Sequence, residues 1–239
     1  MMKILGIDTS TMAANIAVLE DDKLICEYTI NTKKTHSQKL MPMIENMLQL
    51  SDIDIKDIDA IGVCVGPGSF TGLRISMATA KAIAHVNNIP IIGVNSLEIL
   101  GLNMDFCNRK ICSILDAQRN QVYMNKYILE DNEIKALDDI SIVKIDDLLK
   151  ELEETKEEWV LLGEAVYKYK DKIEAINNIT VPSPSNNITK ASSLCVIARN
   201  KMKENKDVHN CYDINPMYIR KSQAEEQYEE KQKRLNDGK

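Results

Sequence analysis

The sequence predicts an α/β protein made of two similar halves, each a mixed sheet flanked by helices. Three observations lead to this prediction. The order strand, strand, strand, helix, strand, helix, strand occurs twice along the chain, with little sequence identity between the two copies. The first predicted strand of each copy ends in an aspartate, Asp8 and Asp116. A loop at 66–72 holds three of the nine glycines and lies between a buried strand and a helix.

The first half shows its elements through hydrophobic periodicity and turn residues. Asp21-Asp22 separates two apolar runs and predicts a hairpin. The full order is strands at 3–8, 15–19 and 23–30, a helix at 36–50, a strand at 60–65, a helix at 73–86 and a strand at 90–94.

The second half repeats this order. Strands are predicted at 110–115, 121–129 and about 134–143, then a helix at 145–154, a strand at 159–163, a helix at 164–176, a strand at 179–181 and a helix at 191–203. The domain prediction is an N-terminal half at 1–104, a C-terminal half at 105–218 and a helix with a flexible tail at 219–239. The tail is rich in Glu, Gln and Lys. Because its charges are of mixed sign, it is poorly suited to bind a row of phosphates.

Composition restricts the class of protein. Apolar residues make up 44% of the 239 residues and charged residues 28%, which is ordinary for a soluble protein. The net charge of −6 argues against broad non-specific nucleic-acid binding, and 5% aromatic residues argue against a platform for stacking bases. No apolar stretch approaches membrane-spanning length, and the N-terminus lacks a signal-peptide pattern, so we expect a cytoplasmic protein with no membrane partner.

Cysteine and histidine chemistry is not indicated. None of the six cysteines forms a C-x-x-C pair, and most lie in apolar runs, as reduced core cysteines do. The three histidines, His36, His85 and His209, lie in unrelated settings. We therefore expect no bound metal and no cysteine nucleophile.

The glycine loop has two interpretations. It could expose the N-terminus of the next helix to an anion, with Ser69 or Thr71 as the helix cap. It could equally be a turn that packs helix against sheet and binds nothing. The loop matches neither the Walker A pattern nor the dinucleotide fingerprint. The candidate nucleotide or anion contacts, including those at the end of the first strand, are Asp8, Thr9, Ser10, Gly66, Gly68, Ser69 and Gly72.

Asp8 and Asp116 would both face a cleft between the halves. A turn aspartate is the favoured interpretation of Asp116, whereas both interpretations stay open for Asp8. His36 is interpreted as a helix-entry residue rather than a ligand contact.

The helix at 36–50 carries an apolar arc of roughly 180° when drawn as a wheel. A helix that only covers a sheet needs about 100°. We therefore expect a subunit interface formed by this helix and the small-residue helix that follows. Its candidates are Leu40, Met41, Met43, Ile44, Met47, Leu48, Leu50, Arg74, Met77 and Ala78. The alternative is that the two helices bury the arc against each other. Arg74 could meet either a phosphate near the glycine loop or a carboxylate of a partner.

Several motifs resemble the bacterial TsaB (YeaZ) family from end to end. They are Ile4-Leu5-Gly6-Ile7-Asp8-Thr9-Ser10, Thr35-His36-Ser37-Gln38, Leu40-Met41-Pro42, the glycine loop continued through Leu73-Arg74, Gly93-Val94-Asn95-Ser96-Leu97, Asp116-Ala117-Gln118-Arg119 and Pro216-Met217-Tyr218-Ile219-Arg220-Lys221. The resemblance implies an actin-like, sugar-kinase-like ATPase fold (ASKHA, ribonuclease H-like). It also implies a role in making threonylcarbamoyladenosine at position 37 of ANN-decoding tRNAs.

In that family the implied role is a non-catalytic, dimerising scaffold. The implied partners are the catalytic paralogue TsaD and the small ATPase TsaE, with a homodimer when the partner is absent and tRNA contacted only indirectly. The complex uses ATP, and this chain is expected to bind no cofactor of its own. Nucleotide in the cleft and nucleotide at the subunit interface both stay open.

One departure from the catalytic paralogue supports that role. Where the paralogue has metal-binding H-x-x-x-H after the strand equivalent to 90–94, this chain has Ser96 and Leu100. The alternative is an enzyme in its own right, either a nucleotide phosphotransferase or a peptidase. The phosphotransferase would need a second glycine-rich loop, but the second half offers only Gly163 before the tail.

Overall fold

The computed structural model describes residues 1–32, 36–130 and 133–220. Its strands are β1 (Lys3–Asp8), β2 (Ala13–Glu20), β3 (Lys23–Asn31), β4 (Ala60–Gly66), β5 (Ile91–Asn95), β6 (Lys110–Asp116), β7 (Gln121–Glu130), β8 (Glu133–Ala136), β9 (Ser141–Lys144), β10 (Trp159–Leu162), β11 (Ile179–Thr180) and β12 (Val208–His209). Its helices are α1 (His36–Leu50), α2 (Phe70–Asn87), α3 (Ser96–Leu102), α4 (Ile145–Glu154), α5 (Ala165–Lys168), α6 (Lys170–Glu174) and α7 (Ala191–Lys203).

Two sheets with the same strand pattern form the framework. The first has the order β12-β5-β4-β1-β2-β3, and the second has β11-β10-β6-β7-β8, with β9 also paired to β7. In each sheet the first strand of the half is antiparallel to the second and parallel to the two strands that follow later in the chain. This duplicated pattern confirms the predicted actin-like α/β fold.

Helices and sheets alternate in five layers. α1 and α2 cover one face of the first sheet, and α7 covers the other face. α3 lies between the two sheets, because Ile99 packs with the α7 side of the first sheet while Leu97 and Leu100 pack on the second. α4, α5 and α6 cover the outer face of the second sheet. Among the described residues, no helix combines the length and apolar character that crossing a bilayer requires.

The second half departs from its predicted elements in two places. The single strand expected at about 134–143 is two short strands, β8 and β9, because the chain bends between them and Asp138 turns toward Lys126. The single helix expected at 164–176 is α5 followed by α6. Tyr169 separates them with φ −116° and ψ 22° while its side chain is buried in the core.

The sequence did not predict α3 or β12, and α7 packs against a sheet on which it was not expected. α3 begins with Asn95 as a cap, whose side chain exchanges hydrogen bonds with Glu98. β12 adds a short strand to the edge of the first sheet. α7 and β12 lie within the predicted C-terminal half of the chain but pack on the first sheet. The domain division stays a prediction, and its tail at 221–239 lies outside the described residues.

Candidate functional site

The glycine loop packs directly against the loop that follows β1. A Cβ built on Gly72 would lie 1.9 Å from the Thr9 carbonyl oxygen, so only glycine allows the two backbones to approach this closely. The Thr9 hydroxyl also donates a hydrogen bond of 2.7 Å to the Gly72 carbonyl. The first turn of α2 is therefore fixed to the end of β1.

A second close approach joins the same two loops. A Cβ on Gly68 would lie 2.4 Å from the Ser10 carbonyl oxygen, and that oxygen accepts a 2.7 Å hydrogen bond from the Ser69 backbone N–H. Ser69 also caps α2, since its Oγ accepts from the Gly72 N–H at 3.3 Å. Ser69 is thus the cap, whereas Thr71 lies within the helix. These contacts favour the packing interpretation of the loop, and anion binding there stays a prediction.

Asp8 lies fully buried at the end of β1. Its Oδ1 accepts a 2.8 Å hydrogen bond from the Ser10 N–H, and Asn15 Nδ2 lies 3.5 Å from its Oδ2. Asn15 also donates to the Thr189 hydroxyl at 3.1 Å, which ties β2 to the segment before α7. The Asp8 carboxylate is therefore held by side chains and backbone of its own chain.

Asp116 stabilises the turn that follows β6, as expected. Its Oδ1 accepts from the Gln118 N–H at 3.0 Å, and Lys168 Nζ lies 2.9 Å from the same carboxylate. Three successive residues of this turn, Gln118, Arg119 and Asn120, have φ of 63°, 51° and 57°. The segment after β6 is thus a tight left-handed turn without glycine.

A small cavity opens between the halves beside these residues. It measures about 240 Å³ and is lined by Thr11, Met12, Leu100, Glu164, Tyr167 and Thr189, among others. Burial raises the pKa of the Glu164 carboxyl; a hydrogen bond from the Met12 backbone opposes the rise, and the charges of Asp116 and Asp8 add to it. The cavity is smaller than the roughly 300 Å³ at which ligand pockets of drug size begin.

Ser96 and Leu100 lie at the junction of β5 and α3, and both are buried. The Ser96 hydroxyl donates a 2.5 Å hydrogen bond to the Pro67 carbonyl of the glycine loop. Leu100 lines the cavity and approaches Gly163, where its Cδ1 would lie 3.2 Å from a Cβ. Among the described residues, no three His, Cys, Asp or Glu side chains are grouped so that they could hold a metal ion.

His36 begins α1, as predicted, and its Nε2 lies 3.0 Å from the Thr11 carbonyl. The ring therefore joins the start of α1 to the loop between β1 and β2. Its neighbour Thr35, the first residue of the family-like motif at 35–38, lies outside the described residues.

The apolar arc of α1 is mostly core. Five of its seven members are buried against the first sheet and α2: Leu40, Met43, Ile44, Met47 and Leu48. Met41 and Leu50, with 42% and 70% exposure, are the members that reach solvent. The arc is wider than a sheet-covering stripe because α1 packs on both the sheet and α2. The surface expected for a partner is correspondingly narrower than the sequence predicted.

The other interface candidates lie on α2. Met77 is buried in the same core, whereas Arg74 and Ala78 are exposed. Ala82 and Val86 continue their row at four-residue spacing and are exposed as well. We call Arg74, Ala78, Ala82 and Val86 the outer row of α2. Ala82 and Val86 were not among the candidates, although their spacing from Ala78 was visible in the sequence.

A strap at 214–220 crosses the glycine loop and was not predicted as a structural unit. Ile214 anchors it in the core, and the Met217 N–H donates 2.7 Å to the Val65 carbonyl. Tyr218 stacks on Phe70 of α2, and Arg220 donates to the Ala117 carbonyl in the second half. The family-like motif at 216–221 was the one sequence signal for it.

Comparison with known proteins gives consistent relatives. The family model described as "TsaD: tRNA N6-adenosine threonylcarbamoyltransferase" matches residues 23–228. The tRNA threonylcarbamoyladenosine biosynthesis protein TsaB of Bacillus subtilis is 34% identical over 97% of this chain and 100% of that protein. The protein of the same name from Escherichia coli is 30% identical over 68% of this chain and 71% of that protein.

Solved structures agree on the fold. YeaZ from Pseudomonas aeruginosa superposes with a TM-score of 0.77 at 21% identity, covering 92% of this chain and 100% of that one. A protein described as having similarity to peptidase YEAZ, also from Pseudomonas aeruginosa, gives a TM-score of 0.80 at 21% identity with the same coverage. At this identity the likeness concerns the fold alone.

Proposed function

Because this chain belongs to the TsaB (YeaZ) family, within the group that the TsaD family model describes, we propose that it is a scaffold subunit of the tRNA threonylcarbamoyladenosine (t6A37) synthesis complex. In this proposal it makes no bond itself. It binds a TsaD-like catalytic paralogue and holds that subunit in a working state, in the cytoplasm, together with a TsaE-like ATPase.

The observation that carries the non-catalytic assignment is the pair Ser96 and Leu100. These residues stand where the resemblance puts the two metal-binding histidines of the catalytic paralogue. The Ser96 hydroxyl donates its hydrogen bond to the Pro67 carbonyl. Leu100 is 1% exposed and packs against the second sheet. A hydroxyl and an isobutyl group one helical turn apart cannot replace two imidazoles.

The glycine loop supports the same proposal. The space beside Gly68 and Gly72 is filled by the carbonyls of Ser10 and Thr9, and the facing turn of the second half contains no glycine. These glycines therefore serve contacts within the chain, and the turn after β6 offers no second glycine-rich loop. ATP consumption belongs, in this proposal, to the complex and its ATPase.

The partner surface that we propose consists of the outer row of α2 with Met41 of α1. Asn46 bonds Tyr28 of β3 at 3.3 Å, so that edge of α1 faces β3. Around the helix axis, Met41 lies about 140° from Asn46. Met41 is therefore on the opposite edge of α1, the edge toward α2. Ala78 and Ala82 let a neighbouring helix approach closely, while Val86, at 81% exposure, and Met41 offer apolar contact.

Co-purification tests this function. We expect the chain, expressed with an affinity tag in bacterial cells, to recover a TsaD-like protein. The purified chain alone should neither hydrolyse ATP at a useful rate nor transfer threonylcarbamoyl to tRNA, and both activities should appear when the TsaD-like and TsaE-like proteins are added. Robust turnover by the isolated chain that survives repurification would contradict the scaffold assignment.

The homodimer is part of the same proposal. The partner surface would join two copies of this chain when the TsaD-like subunit is absent. Adding that subunit should therefore convert homodimer into heterodimer, a change that mass measurement in solution detects.

A further inference from the structure

The cavity between the halves is walled by three separate parts of the chain. The loop after β1 supplies Thr11 and Met12. The beginning of α5 supplies Glu164 and Tyr167, and the segment 187–189 before α7 closes a further side. The volume of about 240 Å³ suits a ligand of a few heavy atoms. Such a ligand would contact both halves at once.

Glu164 brings a negative charge to this cavity, and no cation of the chain neutralises it. Among the described residues, no lysine, arginine or histidine forms an ion pair with Glu164, whose carboxylate is bonded by the Met12 backbone. The charges that act on it are those of two more carboxylates, Asp116 and Asp8. Lys168 is already paired with Asp116 at 2.9 Å. A positive ligand would therefore stabilise the ionised form of this half-buried acid.

Two buried hydroxyl groups line the same cavity. The Thr189 oxygen accepts a 3.1 Å hydrogen bond from Asn15 Nδ2, and the Thr11 oxygen accepts a 3.2 Å bond from the Ala13 N–H. Each hydroxyl oxygen has a second lone pair and can accept one more bond. Together with the Glu164 carboxylate they provide three acceptors, and a primary ammonium group has three N–H donors.

The other walls are apolar. Leu100 and Leu115 are buried on the inner side, while Met12 and Tyr167, at 50% and 53% exposure, form the rim. Apolar walls suit methylene groups, and an aromatic ring at the rim suits a cation. Three ligating side chains grouped for a metal ion do not occur in the described part of the chain, which favours an organic cation over a metal.

We propose that this cavity binds a small organic cation, a primary alkylammonium. Its ammonium group donates to Glu164, Thr11 and Thr189, and its methylene groups lie along the two leucines. This goes beyond the scaffold function, which assigns no ligand to the cleft. It also differs from nucleotide binding, because the carboxylates around the cavity would repel a phosphate.

Methyl NMR of the isolated full-length chain, with carbon-13 in its methionine methyl groups, tests the proposal. Butylammonium chloride replaces potassium chloride at a constant total of about 100 mM, so that the ionic strength does not change. The Met12 methyl resonance should shift saturably with a Kd of about 1 mM. The resonance of Met41, which lies on α1 and does not line the cavity, should not move.

Two further ligands separate the contributions of charge and chain. Butanol has the same four-carbon chain without the charge and should bind at least ten-fold more weakly than butylammonium. Methylammonium keeps the charge but lacks most of the chain, so it should bind about ten-fold more weakly.

A matched pair of variants tests the carboxylate. Glu164→Gln keeps the shape of the side chain but removes its charge, and it should weaken butylammonium binding at least ten-fold. Glu153→Gln makes the same change at an exposed position of α4 and should bind as the wild type does.

Thermal unfolding shows which variants are folded. If Glu164→Gln is unfolded, Tyr167→Ala carries the test. Loss of the ring should weaken binding about three-fold, whereas Tyr167→Phe should bind as the wild type does.

Three results would overturn the proposal. The first is a Met12 resonance that does not shift saturably with butylammonium. The second is butanol that binds as tightly as butylammonium, which would make the cavity merely apolar. The third is a folded Glu164→Gln protein, or a folded Tyr167→Ala protein in its place, that binds butylammonium as the wild type does. Failure of the scaffold function is distinguishable, because it would appear as lost partner capture whether or not the cavity binds a cation.

Discussion

The Thr9 carbonyl oxygen lies 1.9 Å from the point where a Cβ on Gly72 would stand, and the Thr9 hydroxyl bonds the Gly72 carbonyl. This contact joins the first strand of the fold to the first turn of α2. The contact explains why position 72 of the glycine loop is glycine, and this explanation requires no bound ligand.

Gly72→Ala should therefore destabilise the protein. The added methyl group meets a backbone carbonyl, which cannot move without disturbing β1 or α2, so we expect a loss of about 3 kcal/mol or more. Gly93→Ala is the control, since its nearest neighbour is a Val65 side-chain methyl at 3.0 Å that can adjust. Urea unfolding measures both, and equal stability of the two variants would contradict the packing interpretation.

Metal content tests the assignment of Ser96 and Leu100. The isolated chain should carry far less than one zinc or iron per molecule, because a buried hydroxyl and an isobutyl group stand at the ligand positions. Elemental analysis of protein purified without chelator measures this, with the TsaD-like protein prepared in parallel as the control. Stoichiometric metal that survives dialysis would show that ligands other than these two positions hold an ion.

Glu164 should make stability depend on pH. Burial raises the pKa of its carboxyl above the ordinary 4.5, so between 4.5 and the raised value the folded state binds more protons than the unfolded state. Stability from this group is therefore present at acid pH and is lost as the pH rises through the folded pKa. Glu164→Gln cannot titrate and should lose less stability than the wild type between about pH 4.5 and neutrality.

Urea unfolding across that range measures the difference. Glu153→Gln, at an exposed position of α4, should follow the wild-type profile. A Glu164→Gln profile parallel to that of the wild type would show that this carboxyl is not responsible.

Two methionines of α1 should respond oppositely to the same substitution. Met47 is 0% exposed in the core, so Met47→Glu buries a carboxylate and should unfold the chain or cost several kcal/mol. Met41 is 42% exposed, so Met41→Glu should change stability by less than about 1 kcal/mol. Thermal unfolding distinguishes them, and a stable Met47→Glu protein would contradict the position of α1 on the sheet.

Local signals were enough for most of the fold. α1, α4 and α7 begin and end where periodicity predicts, and Ser69, one of the two predicted caps of α2, is the residue that caps it. The errors arise where tertiary packing overrides a local pattern. Tyr169 leaves the helix to bury its ring, and β12 is two residues long, too short to show any period.

The site was harder to predict than the fold. A helical wheel shows that α1 is apolar on one side, but it does not show that both the sheet and α2 cover that side. Hydrophobic periodicity does not predict the strap either, because Tyr218 and Phe70 are far apart in sequence and meet only after folding. The same holds for the pairing of Gly68 with Ser10.

Ala78→Glu tests most directly whether the outer row of α2 binds a TsaD-like subunit. A glutamate at this exposed alanine should leave the chain folded but weaken partner capture by about 100-fold, since it buries a charge at the contact. Ala136→Glu, at an exposed alanine of β8, is the control and should capture the partner as the wild type does. If Ala78→Glu is folded and captures the TsaD-like protein as well as the wild type does, the partner surface lies elsewhere.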